Sequence, residues 1–212
     1  GVRFGVGLTP LGLSPDSPAA AWNALARKLR QLDAVGIDDL VLAFDDVRGD
    51  VPDLAQRQAA IVAWAAARTA AGRVFVCPTY FSDAPVLDHL FGARPERYLA
   101  DLGAALDSRV HVYWTGAEIC AKAIEPVHIE LVTERLGRAP TVWDNVVAND
   151  SPVMAQHLTL RAVTGRPAEL ADLTAGHALN PALQPTLASI PALTLAMAYD
   201  RGRAYAYGAA FR

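Results

Sequence analysis

The sequence predicts an α/β protein with a parallel sheet covered by helices. Three observations lead there. Short apolar runs rich in β-branched residues alternate along the chain with longer segments of helical period. The spacing leaves room for a crossover helix between successive strands. The residues that close the strand-like runs are polar, and the sites of such folds lie at the carboxyl ends of strands.

The elements follow in order. Residues 2–8 alternate and read as a strand, broken by Thr9-Pro10. Ser17-Pro18 predicts an N-cap with proline at the first helical position. Residues 19–35 place Trp22, Leu25, Ala26, Leu29 and Leu32 at helical spacing, and Gly36 supplies the stop. Residues 37–44 form the second strand, and 53–71 a helix closed by Gly72. Residues 73–77 are a third strand, stopped by Pro78. A loop with a short helical turn covers 82–90, and a helix 95–106. Residues 110–114 give a fourth strand and 122–136 a helix followed by Gly137. Residues 141–143 give a short fifth strand, and a long irregular stretch runs from 146 to about 166. A sixth strand falls within 172–180. A helix covers 185–199, with Pro191 kinking or interrupting it. No linker or repeat divides the chain, so residues 1–212 read as a single domain.

Composition excludes several classes. Hydrophobic residues make up 52% of the chain and charged ones 19%, which suffices for a sizeable core. The net charge of -3 comes with scattered Lys and Arg, which argues against nucleic acid or a membrane as partner. No apolar run approaches the roughly 20 residues that span a bilayer. The chain begins without Met or a signal-like segment, so it reads as processed, tagged or cut from something longer, and its compartment is open. Cys77 and Cys120 have no CxxC partner and read as two buried thiols. There is no GxGxxG, no Walker A run, no Gly-x-Ser-x-Gly elbow and no metal-ligand spacing of His or Cys, so neither a cofactor nor a metal is expected.

The strand ends carry the functional signal. The second ends in Phe44-Asp45-Asp46-Val47, the third in Pro78-Thr79-Tyr80, the fourth in Trp114-Thr115-Gly116. The fifth ends in Trp143-Asp144-Asn145 with Asn149-Asp150 close behind, the sixth in Asn180-Pro181. Taken singly, these residues also suit caps, turns and core. Together they form an Asp, Asn, Tyr and Trp inventory without Arg or Lys. Sugar hydroxyls donate and accept, so Asp and Asn bind them in pairs, and a pyranose face stacks on an aromatic ring. A phosphate site would instead call for Lys, Arg or a glycine nest.

Those stretches resemble the catalytic barrel of glycoside hydrolase family 84, the O-GlcNAcase and bacterial β-N-acetylglucosaminidase group. Phe44-Asp45-Asp46-Val47, Cys77-Pro78-Thr79-Tyr80, Trp114-Thr115-Gly116, Gly137-Arg138-Ala139-Pro140, Trp143-Asp144-Asn145, Asn149-Asp150, Gly165-Arg166 and Asn180-Pro181 occur in the family's order, from about Phe4 to about Ala196. The resemblance implies a TIM (β/α)8-type barrel, here a partial barrel of about six βα units, because the strand at Phe4 looks like the third of eight. A missing N-terminal segment or a partner chain would complete it. The implied activity is removal of terminal β-linked N-acetylglucosamine from a glycan or glycoprotein with retention. The substrate's own acetamido oxygen serves as nucleophile, one of the exceptions to the two-carboxylate rule.

By this resemblance Asp45 orients the acetamide and Asp46 is the proton donor. Asn145 bonds near the acetamido group, Asp150 holds the 4- and 6-hydroxyls, Asn180 binds hydroxyls beside it, and Trp143 and Thr115 shape the N-acetyl pocket. The family's pocket tyrosine stands two after the threonine of its Cys-Pro-Thr run. That slot is Phe81 here, so Tyr80 takes the assignment. The alternative is a sugar-binding or structural relative, impaired because its barrel is incomplete.

Overall fold

The computed structural model describes residues 1–152 and 154–210. Six strands alternate with helices: β1 Gly5–Leu8, α1 Ala19–Val35, β2 Asp39–Ala43, α2 Leu54–Ala66, β3 Arg73–Cys77, α3 Val86–Phe91, α4 Tyr98–Ala105, β4 His111–Trp114, α5 Pro126–Leu136, β5 Thr141–Asp144, α6 Leu170–Leu173, β6 Gly176–Leu179 and α7 Pro185–Arg201. Two compact units divide the chain. Gly1–Phe81, Pro85–Tyr113 and Arg135–Arg138 form the first; Ser82–Ala84, Trp114–Glu134 and Ala139–Arg212 form the second.

In the first unit β1 to β4 lie side by side in chain order, all parallel, with Gly5 against Asp39, Asp39 against Arg73 and Phe75 against His111. Leu40, Leu42, Phe44, Val76 and Val112 are buried on one face, with Ile61 and Val62 of α2 and Leu102 of α4 also buried in this unit. The opposite face carries Asp39 between two arginines. Arg3 Nη2 and Arg73 Nη2 reach its carboxylate at 2.6 and 2.7 Å. Farther along, Phe75 stacks on His111 and Tyr113. In the second unit β5 and β6 are parallel, with Thr141 against Gly176. Val147, Val163 and Leu195 pack with Val146, Leu179 and Tyr199 beside them.

Several boundaries differ from expectation, each for a local reason. Pro18 is the N-cap of α1 rather than its first helical residue; Ser17 Oγ instead accepts the Ser14 N–H at 2.9 Å. Helix α2 stops at Ala66, well before Gly72. There Asp33 accepts hydrogen bonds from Thr69 Oγ1 and the Ala70 N–H, holding the chain off the helical path. Helix α5 starts at Pro126 rather than 122, since the carbonyls of Ala121 and Lys122 are taken by Arg166. Helix α7 runs through Pro191. Helix α6 was not expected. Cys77 is buried, but Cys120 is exposed and lies in a turn, contrary to the expectation of two buried thiols. Among the described residues, no helix is long and apolar enough to cross a membrane.

Arg138 ties α4 down. Its guanidinium donates to the carbonyls of Gly103 and Leu106, which the helix end leaves free, and to those of Asp107 and Val110 in the loop beyond. This brings Leu136 against α4, and a Cβ added at Gly103 would lie 1.9 Å from the Leu136 carbonyl oxygen. Gly103→Ala is therefore expected to destabilise the protein by about 1–3 kcal/mol through overpacking. A thermal melt should show the midpoint falling by several degrees. An unchanged midpoint would mean that the helices part freely here.

Candidate active site

In the first unit, Asp45 and Asp46 sit one residue beyond β2, at the central positions of a tight turn. The Val47 N–H donates to the Phe44 carbonyl at 3.0 Å. Before the turn, the Phe44 N–H pairs with Cys77 O at 2.8 Å and extends the ladder to the carboxyl end of β3. Asp45 is half-buried and Asp46 exposed. Burial raises the Asp45 carboxyl above its ordinary value; a backbone hydrogen bond pulls it back and the Asp46 charge adds to the rise. The pair's field reaches the neighbouring strand. Burial first, then the charges of Asp45 and Asp46, push the Cys77 thiol well up. Cys77 is therefore an inert core thiol.

Tyr80 is fully buried in the same unit. Its hydroxyl donates to Gly92 O at 2.6 Å, its ring meets Tyr98 edge to face, and the Arg94 guanidinium covers it. The structure uses Tyr80 as a packing residue whose polar end is already taken.

In the second unit, the carboxyl ends of β5 and β6 form a polar shelf. The Asn180 N–H donates to Asp144 O at 2.8 Å, so both strand ends stay paired as they enter their loops. Asn180 Nδ2 lies 3.0 Å from Asn145 Oδ1 and 3.2 Å from Asp150 Oδ2. Trp143 Nε1 also donates to Asn145 Oδ1 at 3.1 Å, and Asn145 Nδ2 donates to Ile119 O at 2.8 Å. These bonds fix the amide of Asn145 with its oxygen toward Trp143 and Asn180. The structure thus brings Trp143, Asn145, Asp150 and Asn180 together. Thr115 of this unit is buried, with its hydroxyl donated to Glu118 O at 3.1 Å, so it braces a turn.

Under the shelf lies a group that sequence reasoning missed. Asp144 is 1% exposed, and Arg166 meets it with Nε at 2.7 Å from Oδ2 and Nη2 at 2.8 Å from Oδ1, its side chain 0% exposed. The Val146 N–H donates to Oδ1 and His177 Nε2 stands 3.0 Å from Oδ2. Burial pushes the Asp144 carboxyl up, but hydrogen bonds from Arg166 and His177 outweigh it and hold it at about 2. An ionised Asp144 only accepts, so His177 Nε2 carries the proton. The other ring nitrogen, Nδ1, lies 2.5 Å from the Tyr199 hydroxyl, which burial and the Asp144 charge push up to about 12. Asp144 is thereby locked beside Asn145 and Asn180. Arg166 and Asp144 stood in the matched stretches; His177 gave no sequence signal beyond lying in a strand.

Among the described residues, no group of three His, Cys, Asp or Glu side chains is placed to hold a metal ion. What these surfaces offer is proton transfer by a carboxylate pair and hydrogen bonding to a polyhydroxylated ring.

Comparison with known proteins agrees in kind. The family model for β-N-acetylglucosaminidase matches residues 2–211. The protein O-GlcNAcases of Mus musculus and Rattus norvegicus are each 29% identical to this chain over 168 residues, covering 75% of it and 18% of the relative. Among solved structures, a mutant of the O-GlcNAc hydrolase of Thermobaculum terrenum superposes with a TM-score of 0.86 at 25% identity, covering 100% of this chain and 46% of the other. The structure of CpGH84B gives 0.78 at 18% identity, over 99% of this chain and 37% of its own. The chain thus spans less than half of each of these proteins. The likeness in fold extends over its whole length, and six βα units of the TIM (β/α)8 type are what it shares with them.

Proposed function

Since this chain belongs to the β-N-acetylglucosaminidase family, we propose that it hydrolyses terminal β-linked N-acetylglucosamine by substrate-assisted catalysis. The observation that carries the reading is the turn after β2, which holds Asp45 and Asp46 side by side at a strand's carboxyl end. In the proposed first step the substrate's acetamido oxygen attacks the anomeric carbon, whose bond to the leaving oxygen breaks. Asp46 gives that oxygen its proton, and Asp45 accepts the acetamide N–H as positive charge develops on the closing oxazoline. In the second step water attacks the same carbon, whose bond to the acetamido oxygen breaks so that the oxazoline reopens, and Asp46 takes a proton from that water. Configuration at the anomeric carbon is retained.

The two carboxyls stand in unequal surroundings, Asp45 half-buried and Asp46 exposed. Burial first, and then the Asp46 charge, raise Asp45, but an acetamide N–H donated to it favours its ionised form. Trp143, Asn145, Asp150 and Asn180 are the proposed sugar-binding residues, through the hydrogen bonds they already share. Tyr80 and Thr115, assigned to the sugar site by the resemblance, are each proposed to brace a loop of their own unit, since both hydroxyls are engaged with carbonyls. N-acetylglucosamine-bearing glycans or glycoproteins are the proposed substrates, and residues 1–212 the proposed single catalytic domain.

The test is release of the aglycone from an aryl N-acetyl-β-glucosaminide, with Asp46→Asn as control. Loss of about 10²- to 10⁴-fold is expected in the variant when the leaving group is poor, the range for general acid catalysis. A strongly acidic phenol needs little protonation and should show a much smaller loss. Undiminished cleavage of the poor leaving group by Asp46→Asn would overturn the assignment of the acid. Sugar binding without turnover by the native chain would favour a binding protein instead.

A further inference from the structure

The turn that carries the two carboxylates is gripped from beneath by buried polar groups. Thr79 Oγ1 lies 2.9 Å from Phe44 O and 3.2 Å from Val47 O, the carbonyls of the turn's first and last residues. Gln58 Nε2, from the middle of α2, is 2.8 Å from Thr79 Oγ1. The Tyr98 hydroxyl, at the start of α4, bonds Gln58 Oε1, and the Thr79 N–H reaches that same hydroxyl oxygen at 3.1 Å. Gln58, Thr79 and Tyr98 are 2%, 0% and 2% exposed.

The direction of every proton in this circuit is fixed. Carbonyls only accept, so the Thr79 hydroxyl must donate to the turn. Its oxygen then accepts from Gln58, which orients that amide with Oε1 toward Tyr98. Tyr98 donates to Oε1 and accepts the Thr79 N–H. Burial pushes the Tyr98 phenol far above its ordinary value, so it remains a donor across the working pH range. Burying a glutamine in mid-helix is costly unless its amide is satisfied. Here the circuit meets the turn that presents Asp45 and Asp46 through the Thr79 hydroxyl, at Phe44 O and Val47 O.

We propose that Gln58 and Tyr98, acting through the Thr79 hydroxyl, are positioning residues that set the Asp45–Asp46 turn for proton transfer. The inference rests on the glycosidase reading for its consequence in rate, while the clamp itself concerns only the turn.

The decisive variant is Thr79→Val, of nearly the same shape without the hydroxyl. On the aryl N-acetyl-β-glucosaminide, kcat should fall about 10- to 100-fold with KM changed by less than about threefold, since small misplacement of reacting groups is costly. Hydrogen exchange of the Val47 amide should accelerate about tenfold as the turn loses a hydrogen bond. Thr79→Ser, which restores the hydroxyl, should recover most of both. Gln58→Glu tests direction. A carboxylate there cannot donate and draws the Thr79 hydroxyl away from the turn, so it should mimic Thr79→Val. Should Thr79→Val fail to fold, Tyr98→Phe removes a single oxygen and is read by the same measurements. Native kcat and native Val47 exchange in a folded Thr79→Val or Tyr98→Phe would overturn the clamp. If the native chain shows no hydrolysis, the glycosidase reading falls, and Val47 exchange still decides the clamp.

Discussion

Asp45→Asn is expected to lower kcat on an aryl N-acetyl-β-glucosaminide by about 10²- to 10³-fold, roughly 2.7–4 kcal/mol of transition-state stabilisation. The substitution keeps shape and removes charge. It takes away the anion that would face the acetamide N–H as the oxazoline forms, and it can turn an NH₂ donor toward that donor. The loss should be similar for good and poor leaving groups, because ring closure rather than protonation suffers. That independence separates Asp45 from Asp46, whose loss should grow as the leaving group worsens. A loss of less than about tenfold would remove Asp45 from its assigned role.

The pH profile gives the same residue a second test. Burial, more than the Asp46 charge, raises the Asp45 carboxyl. Asp45 must be ionised to work, so kcat/KM should fall on the acid side at a pH above the ordinary aspartate value of about 3.9. Asp46→Asn removes only the smaller, coulombic cause. The acid limb of its residual activity on a good leaving group should therefore move down only slightly. A limb at or below the ordinary value in the native protein would contradict the half-buried setting of Asp45.

Arg166→Met is expected to be the most damaging single change to stability, at about 3–5 kcal/mol, because it leaves the Asp144 carboxylate buried without its main partner. At about 2–4 °C per kcal/mol for a chain of this size, the melting midpoint should drop by roughly 6–20 °C. Arg166 also donates to the carbonyls of Ala121, Lys122 and Thr164, so the loop before α5 should loosen with it. The double variant Asp144→Leu with Arg166→Met should regain part of the loss, since it removes the stranded charge. The native Asp144 is held at about 2, below its ordinary 3.8. A depressed carboxyl stabilises the fold fully above its unfolded value and loses that contribution as the pH falls through its folded one. The stability of the native chain should thus be insensitive to this group above about pH 4, and should fall between about pH 4 and pH 2. An Arg166→Met protein that melts with the native one would overturn the account.

Local chemistry determined what could be read in advance. Helix α1 ends where Gly36 takes a left-handed backbone, and its apolar spacing was visible because one residue type dominates each face. Strand β3 was equally plain, a run of Val, Phe and Cys cut off by Pro78. Helix α2 was overdrawn because its stop lies in Asp33, 36 residues from Thr69 in the chain, which no local pattern reveals. Asp45 and Asp46 stood out by adjacency at a strand end, and Trp143, Asn145, Asp150 and Asn180 by recurring after strands. Gln58, Tyr98 and His177 did not. Each works through partners 19 to 40 residues away in sequence, and each on its own looks like an ordinary helix or strand residue. Tyr80 and Thr115 show the converse. Their place in the motif was evident, while the carbonyls that occupy their hydroxyls belong to the tertiary fold.

The strand register also bears on how the chain finds its fold. Gly5 pairs with Asp39, 34 residues on; Asp39 with Arg73, again 34; Phe75 with His111, 36; and Thr141 with Gly176, 35. Each pairing closes a loop of nearly the same length. Closure entropy grows only as the logarithm of loop length, so these steps differ by less than about 0.1 kcal/mol in that cost. Among the described pairings no strand waits on a partner much more distant than another's, though parallel pairing across such separations is slower than local helical contact. The sheet can grow one neighbour at a time from whichever pair forms first, with the order of assembly decided by side-chain packing and not by chain length.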